Sequence, residues 1–67
     1  MNYTEQYAKE YLGKIFYFCL KKTGNEQHAE ELASDISYEI LASLARGNKP
    51  AVFSHWVWAV AKNVYAK

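Results

Sequence analysis

Apolar residues recur along this chain at intervals of three and four, the spacing that lines one face of an α-helix. Nowhere do they alternate singly with polar residues, as a half-buried strand would require. The clearest run is Phe53, Trp56, Val57, Val60, Ala61 and Val64, an i, i+3, i+4, i+7, i+8, i+11 pattern that makes one buried face. Ala29, Leu32, Ala33, Ile36, Ile40 and Leu44 form a second stripe, and Ala8, Tyr11, Leu12, Ile15, Phe16 and Cys19 a third. Gly24-Asn25 and Gly47-Asn48-Lys49-Pro50 are the breaks between them.

The spacing predicts a first helix from about Thr4 to Lys22, ending in Lys21-Lys22 and stopping at Gly24. Gly13 lies inside it, at a cost of ~1 kcal/mol relative to alanine. Asn25 is placed to cap the second helix, and Glu26 puts a carboxylate near the positive end of its dipole. Arg46 closes that helix, with Gly47 free to take the left-handed conformation beyond it. The third helix is expected to begin near Pro50, which suits a first turn. Three amphipathic helices on short connections bury their stripes against one another, so the expected fold is all-α, a small bundle of three helices in one domain covering residues 1–67. The chain shows no internal repeat, low-complexity tract or linker.

Composition narrows the class. Hydrophobic residues make up 51% of the chain, yet no stretch approaches the ~20 apolar residues of a membrane span. The opening Met1-Asn2-Tyr3-Thr4-Glu5-Gln6 lacks the basic start and apolar run of a signal peptide. A cytoplasmic protein with no membrane partner is expected. A domain near this size buries only about 60% of the surface its unfolded chain exposes, so its stability is thin. Cys19 is the single cysteine, which excludes an intramolecular disulfide and a Cys-rich zinc site. Among Phe16, Phe18 and Leu20 it reads as a buried, small apolar side chain.

The net charge of +1 is uninformative, but its distribution is not. Up to Leu44 there are four bases (Lys9, Lys14, Lys21, Lys22) against all seven acids. From Ala45 onward there are four bases (Arg46, Lys49, Lys62, Lys67), His55 and no acid. Charge divided in this way points to two surfaces for two partners.

Some residues are left over once the core is assigned. On the third helix His55, Trp58, Lys62 and Tyr65 fall on a flank away from the apolar stripe. Aromatic rings stack on unpaired bases and a nearby cation holds the phosphate chain, so this set suits single-stranded nucleic acid. The other reading is that Trp58 packs under another part of the bundle and Lys62 is merely solvated. On the second helix Glu31, Asp35 and Glu39 recur every four residues. They read either as a solvated helix face or as a docking face for an Arg-rich helix of a partner. Enzyme readings fare worse. His28 and His55 are the only histidines, no carboxylate pair shares a helical face with either in a metal-binding spacing, and the three glycines lie too far apart for a phosphate loop. No enzyme activity, metal or cofactor is expected, and His28 is placed facing solvent in the first turn of its helix.

Thr23-Gly24-Asn25 through Ala29-Glu30-Glu31-Leu32 resembles the "TGN, then AEDL" segment of the extracytoplasmic-function branch of the sigma-70 family. Phe53-Ser54-His55-Trp56-Val57-Trp58-Ala59-Val60-Ala61-Lys62-Asn63 is similar to that family's F-x-x-W-L-aromatic-x-I-A-R/K-N pattern. The resemblance covers the chain from about Tyr11 to Lys67 and implies conserved region 2 of a bacterial sigma factor, the domain that melts the promoter. It implies core RNA polymerase as one partner, through the clamp helices of its largest subunit. Glu31, Ser34, Asp35, Tyr38 and Glu39 would make that contact. Promoter DNA is the other implied partner, through the non-template strand of the minus-ten element. Asn48 and Lys49 of the loop over Gly47 to Ala51 would capture a flipped base, and Trp58, Lys62 and Asn63 would follow the opened strand and the adjacent duplex, beside His55 and Tyr65 of the same flank. An anti-sigma protein is a further partner of such domains.

The chain departs from the family at Ser34, where a glutamine is common, at Ser37, where an aromatic residue is frequent, and at Glu39, where a base is frequent. The family's second, minus-thirty-five-reading domain is absent from this sequence, which is therefore expected to be an N-terminal fragment. The alternative is a helical protein-interaction or regulatory module, derived from the sigma fold, that has lost DNA binding.

Overall fold

Asn2 opens the first helix by accepting the backbone N–H of Glu5 on its side-chain oxygen at 2.8 Å. The same device opens the second, where Asn25 Oδ1 accepts the backbone N–H of His28 at 2.9 Å, as its position predicts. Each cap satisfies one of the N–H groups that a helix start leaves without an intrahelical partner. The computed structural model describes residues 2–67, and these form three helices and no strand. The result is a small all-α bundle.

The first helix covers residues 3–23 in three pieces: Tyr3–Gln6, a wider π turn over Tyr7–Tyr11, and Leu12–Thr23. Gly24 ends it with φ 66°, donating its N–H to Leu20 O at 2.8 Å. The second helix is Glu26–Ala45, with Arg46 at its C-terminus and Gly47 at φ 94° beyond it, again the predicted stop. The third is Phe53–Ala66.

The two-residue break at Gly24-Asn25 makes the first two helices antiparallel neighbours. Tyr3 and Tyr11 meet Phe53, while Phe18 meets Trp58 and Tyr65 further along. The third helix therefore runs parallel to the first. The core consists of Tyr7, Tyr11, Ile15 and Cys19 from the first helix, Ala29, Ile36 and Ile40 from the second, and Phe53, Val57 and Ala61 from the third. Cys19 is buried as expected, and burial pushes its thiol up from the ordinary range, which makes it a poor nucleophile. Burial likewise raises the Tyr7 phenol, against the opposing effect of its 2.8 Å hydrogen bond with Ser37 Oγ.

Three expectations need correction. Ala8 and Leu12 were placed in the core stripe, but both are exposed, and Tyr7 takes the inward position. Leu12 lies in the regular Leu12–Thr23 piece and is left open at a trough between the first two helices; for Ala8 the cause is the π turn, which fits more residues into one revolution than an α turn does. It swings Ala8 off the stripe and aligns Tyr7 with Tyr11, Ile15 and Cys19 at steps of four. Trp56 belongs by spacing to the third helix's buried face, but it sits half-buried at the rim, tilted against Phe53 at 5.9 Å. The centre is Phe53, Val57 and Ala61. The third helix also starts later than Pro50. The Pro50 carbonyl accepts the Tyr3 hydroxyl at 3.0 Å, and the Phe53 ring stacks on Tyr3 at 4.4 Å, so a tertiary anchor sets where the helix begins.

Gly13 sits inside the first helix, and a Cβ added there meets nothing within 4 Å. Gly13→Ala is expected to stabilise the domain by ~0.5–1 kcal/mol, because it only removes a helix-interior glycine. Thermal unfolding checks this, at roughly 4–8 °C per kcal/mol for a domain of this size. An unchanged or lower midpoint would contradict it.

Candidate nucleic-acid interface

At about 100° per residue, His55, Trp58, Lys62 and Tyr65 share one flank of the third helix. His55 and Lys62 are exposed, Tyr65 is 47% exposed, and Trp58 is half-buried. Trp58 meets the Phe18 ring edge-on, with centroids 5.7 Å apart and planes at 64°. Tyr65 meets the same ring at 6.2 Å and 80°. Lys22 Nζ lies 5.7 Å from the Phe18 centroid and 5.6 Å from that of Tyr65, within cation–π range of both. Trp58 thus packs against the first helix, and part of it still faces an open surface.

That surface is a groove of about 510 Å³ lined by Gly13, Lys14, Tyr17, Phe18 and Lys21 of the first helix and Trp58 of the third. Its lining is almost wholly apolar. Tyr17 is 60% exposed and carries Lys21 Nζ over its ring at 5.3 Å, while Lys14 Nζ lies 5.7 Å from the Tyr11 ring. Lys14, Tyr17, Phe18, Lys21 and Lys22 are not among the site residues expected from the sequence. Their signal was a run without acids from Tyr11 to Asn25, of which only Lys21-Lys22 was read, as a helix ending. Both walls of the groove therefore come from acid-free segments, residues 11–25 and 45–67.

Asn63 does not join this flank. It is exposed but lies about 100° around the helix from Lys62, toward Trp56. Asn48 and Lys49 are exposed in the loop before the third helix. Asn48 is held by both its groups: its backbone N–H donates to Ser43 O at 3.2 Å and its Nδ2 to Ser43 Oγ at 3.0 Å. Tyr3 anchors the loop at Pro50, and roughly 15 Å of helix separates Tyr3 from Gly13, so loop and groove are separate stations.

The acids gather on the second helix. Glu31, Ser34, Asp35, Tyr38 and Glu39 are all exposed, Tyr38 by 72%. Asp35, Tyr38 and Glu39 line a shallow cleft with Val64 and Lys67, and Glu30, Glu31, Ser34 and Asp35 line another. Beside them a trough of about 500 Å³ runs between the first two helices, lined by Leu12, Phe16, Ala33 and Tyr38 together with Glu30, Ser34 and Ser37. His28 is exposed in the first turn of the second helix, as expected. Among the described residues no three His, Cys, Asp or Glu side chains gather to hold a metal ion. No described helix is long and apolar enough to cross a membrane. Comparison with known protein families, with characterised proteins and with solved structures finds no match for this chain.

Proposed function

We propose that this chain is a sigma region 2-like domain that binds core RNA polymerase through its second helix and captures the opened non-template strand of a promoter minus-ten element. One observation carries the reading. The acids of the second helix lie exposed together, whereas the aromatic groove and the third helix are lined by segments that hold lysines and no acid. An acidic helix with a trough beside it fits a basic partner helix, and an aromatic surface edged by cations fits single-stranded DNA. The two sequence motifs at Thr23 to Leu32 and Phe53 to Asn63 support the same assignment through their resemblance to the family. The domain acts by binding energy: stacking and phosphate contacts compensate the few kcal/mol of unpairing, so the open strand is selected over the closed duplex.

Titrating purified core polymerase with the chain and a labelled non-template oligonucleotide tests this, since a ternary complex is expected. Asp35→Lys should weaken core binding by about tenfold or more while the melting profile stays put, because the exposed Asp35 carries charge complementarity and little packing. Unchanged affinity for core would move the docking surface elsewhere. A second reading, a protein-interaction module of the same fold without DNA binding, is favoured by the half-burial of Trp58 against Phe18. It predicts that no strand enters the complex.

A further inference from the structure

We infer that the groove between the first and third helices is a base-binding subsite, in which an unpaired nucleobase stacks beside Tyr17 and Trp58 while Lys14 and Lys21 hold the flanking phosphates. This deepens the strand-binding reading above and rests on it. The first helix supplies five of the six lining residues, none of them in the motifs that suggested DNA contact. Gly13 gives the groove its depth, since no side chain projects there and the space where one would begin is open. Tyr17 presents its ring to solvent although nothing in the fold requires an aromatic at that exposed position. Lys14 and Lys21 line the groove seven residues apart, roughly 10 Å of helix rise, with their ammonium groups over the Tyr11 and Tyr17 rings at 5.7 and 5.3 Å, within reach of a strand laid on the apolar floor.

Charge selects the occupant. No acid lines the groove; Glu10, one turn before Lys14, is the nearest on the first helix and the third helix holds none, so the two lysines leave the site net positive and it attracts anions. An apolar, aromatic floor bounded by cations matches a base with its backbone, because every base offers a π-face to stack while its phosphates meet the lysines. A duplex would keep its bases paired and stacked on one another, leaving the floor unfilled. The groove therefore prefers the single strand.

The test uses the 67-residue chain with and without core polymerase. Its probes are a short labelled oligothymidylate, the same strand with abasic sugars, and the corresponding duplex. The thymidylate strand should bind about tenfold or more tightly than the abasic strand or the duplex. Gly13→Leu should erase that preference without lowering the melting temperature, since leucine is the better helix former and its side chain fills the groove. Tyr17→Phe should bind normally and Tyr17→Leu should lose about tenfold, because the ring and not the hydroxyl carries the stack. Replacing Lys14 and Lys21 with glutamine should flatten the salt slope by about 1.4.

Equal binding of the abasic strand, or wild-type affinity in Gly13→Leu, overturns the subsite. Competition by polyglutamate as effective as that by the thymidylate strand also overturns it, in favour of an acidic protein segment. If Gly13→Leu binds the strand normally while His55→Ala or Asn48→Ala does not, the subsite falls and the strand-binding function stands. If no strand binds with or without polymerase, both fall.

Discussion

Phe53→Ala is expected to remove ~3–5 kcal/mol, a large share of the domain's stability, and to lower its thermal midpoint steeply. Phe53 is buried at the first turn of the third helix, stacked on Tyr3 at 4.4 Å, edge-on to Tyr11 at 5.5 Å and tilted against Trp56 at 5.9 Å. Truncating a buried phenylalanine costs ~3–5 kcal/mol in lost transfer energy and residual cavity. A domain of this length has only about 3–10 kcal/mol of stability at the usual ~0.05–0.15 kcal/mol per residue. The damage also spreads locally, because the Tyr3 ring that loses its stack is the one whose hydroxyl holds Pro50. Far-ultraviolet circular dichroism through a thermal melt checks this. A cooperative transition within a few degrees of the parent would mean that the aromatic cluster contributes little.

Trp58→Ala is expected to affect both stability and strand binding. Its half-buried ring makes the edge-on contact with Phe18, and aromatic pairs of this geometry add ~0.5–1.5 kcal/mol beyond their burial. The same ring is the third helix's contribution to the groove, so strand affinity measured with core polymerase should fall by ~1–3 kcal/mol per folded molecule. The fraction folded must be measured alongside, because Trp58 is tied to the core more closely than the exposed-flank expectation allows. Trp56→Ala is the control: it is also half-buried, lies outside the groove, and should cost stability without changing binding per folded molecule. If Trp58→Ala behaves like Trp56→Ala, the aromatic flank is scaffold and the protein-interaction reading gains.

The helices and their punctuation were legible in the sequence because they depend on local chemistry. Asn25 accepts an N–H three residues on, and Gly24 and Gly47 take positive φ where a side chain would be strained, whatever surrounds them. Ile15, Cys19, Ile36, Ile40, Val57 and Ala61 were identifiable as core residues because the 3.6-residue period holds wherever the helix is regular. The same rule placed Leu12 wrongly because the second helix leaves it open at the trough between the first two helices, and Ala8 wrongly because the period does not hold through Tyr7–Tyr11. A π turn there exchanges Ala8 for Tyr7, whose hydroxyl finds Ser37 thirty residues away.

The candidate site was legible only on the third helix. His55, Trp58, Lys62 and Tyr65 share a face by spacing alone, and the acids of the second helix likewise. That Lys14, Tyr17 and Lys21 stand across from Trp58 depends on how the first helix packs against the third, which no local pattern encodes. The sequence by itself determined three amphipathic helices, their caps and the segregation of acids from the C-terminal third of the chain, since each follows from residues within a turn or two of one another. Only the tertiary structure decided which aromatics became core, rim or groove. A ring can be buried by any neighbour large enough to cover it, and here the packing of the first helix on the third covers Phe53 with Tyr3 and Tyr11, half-covers Trp58 with Phe18, and leaves Tyr17 open.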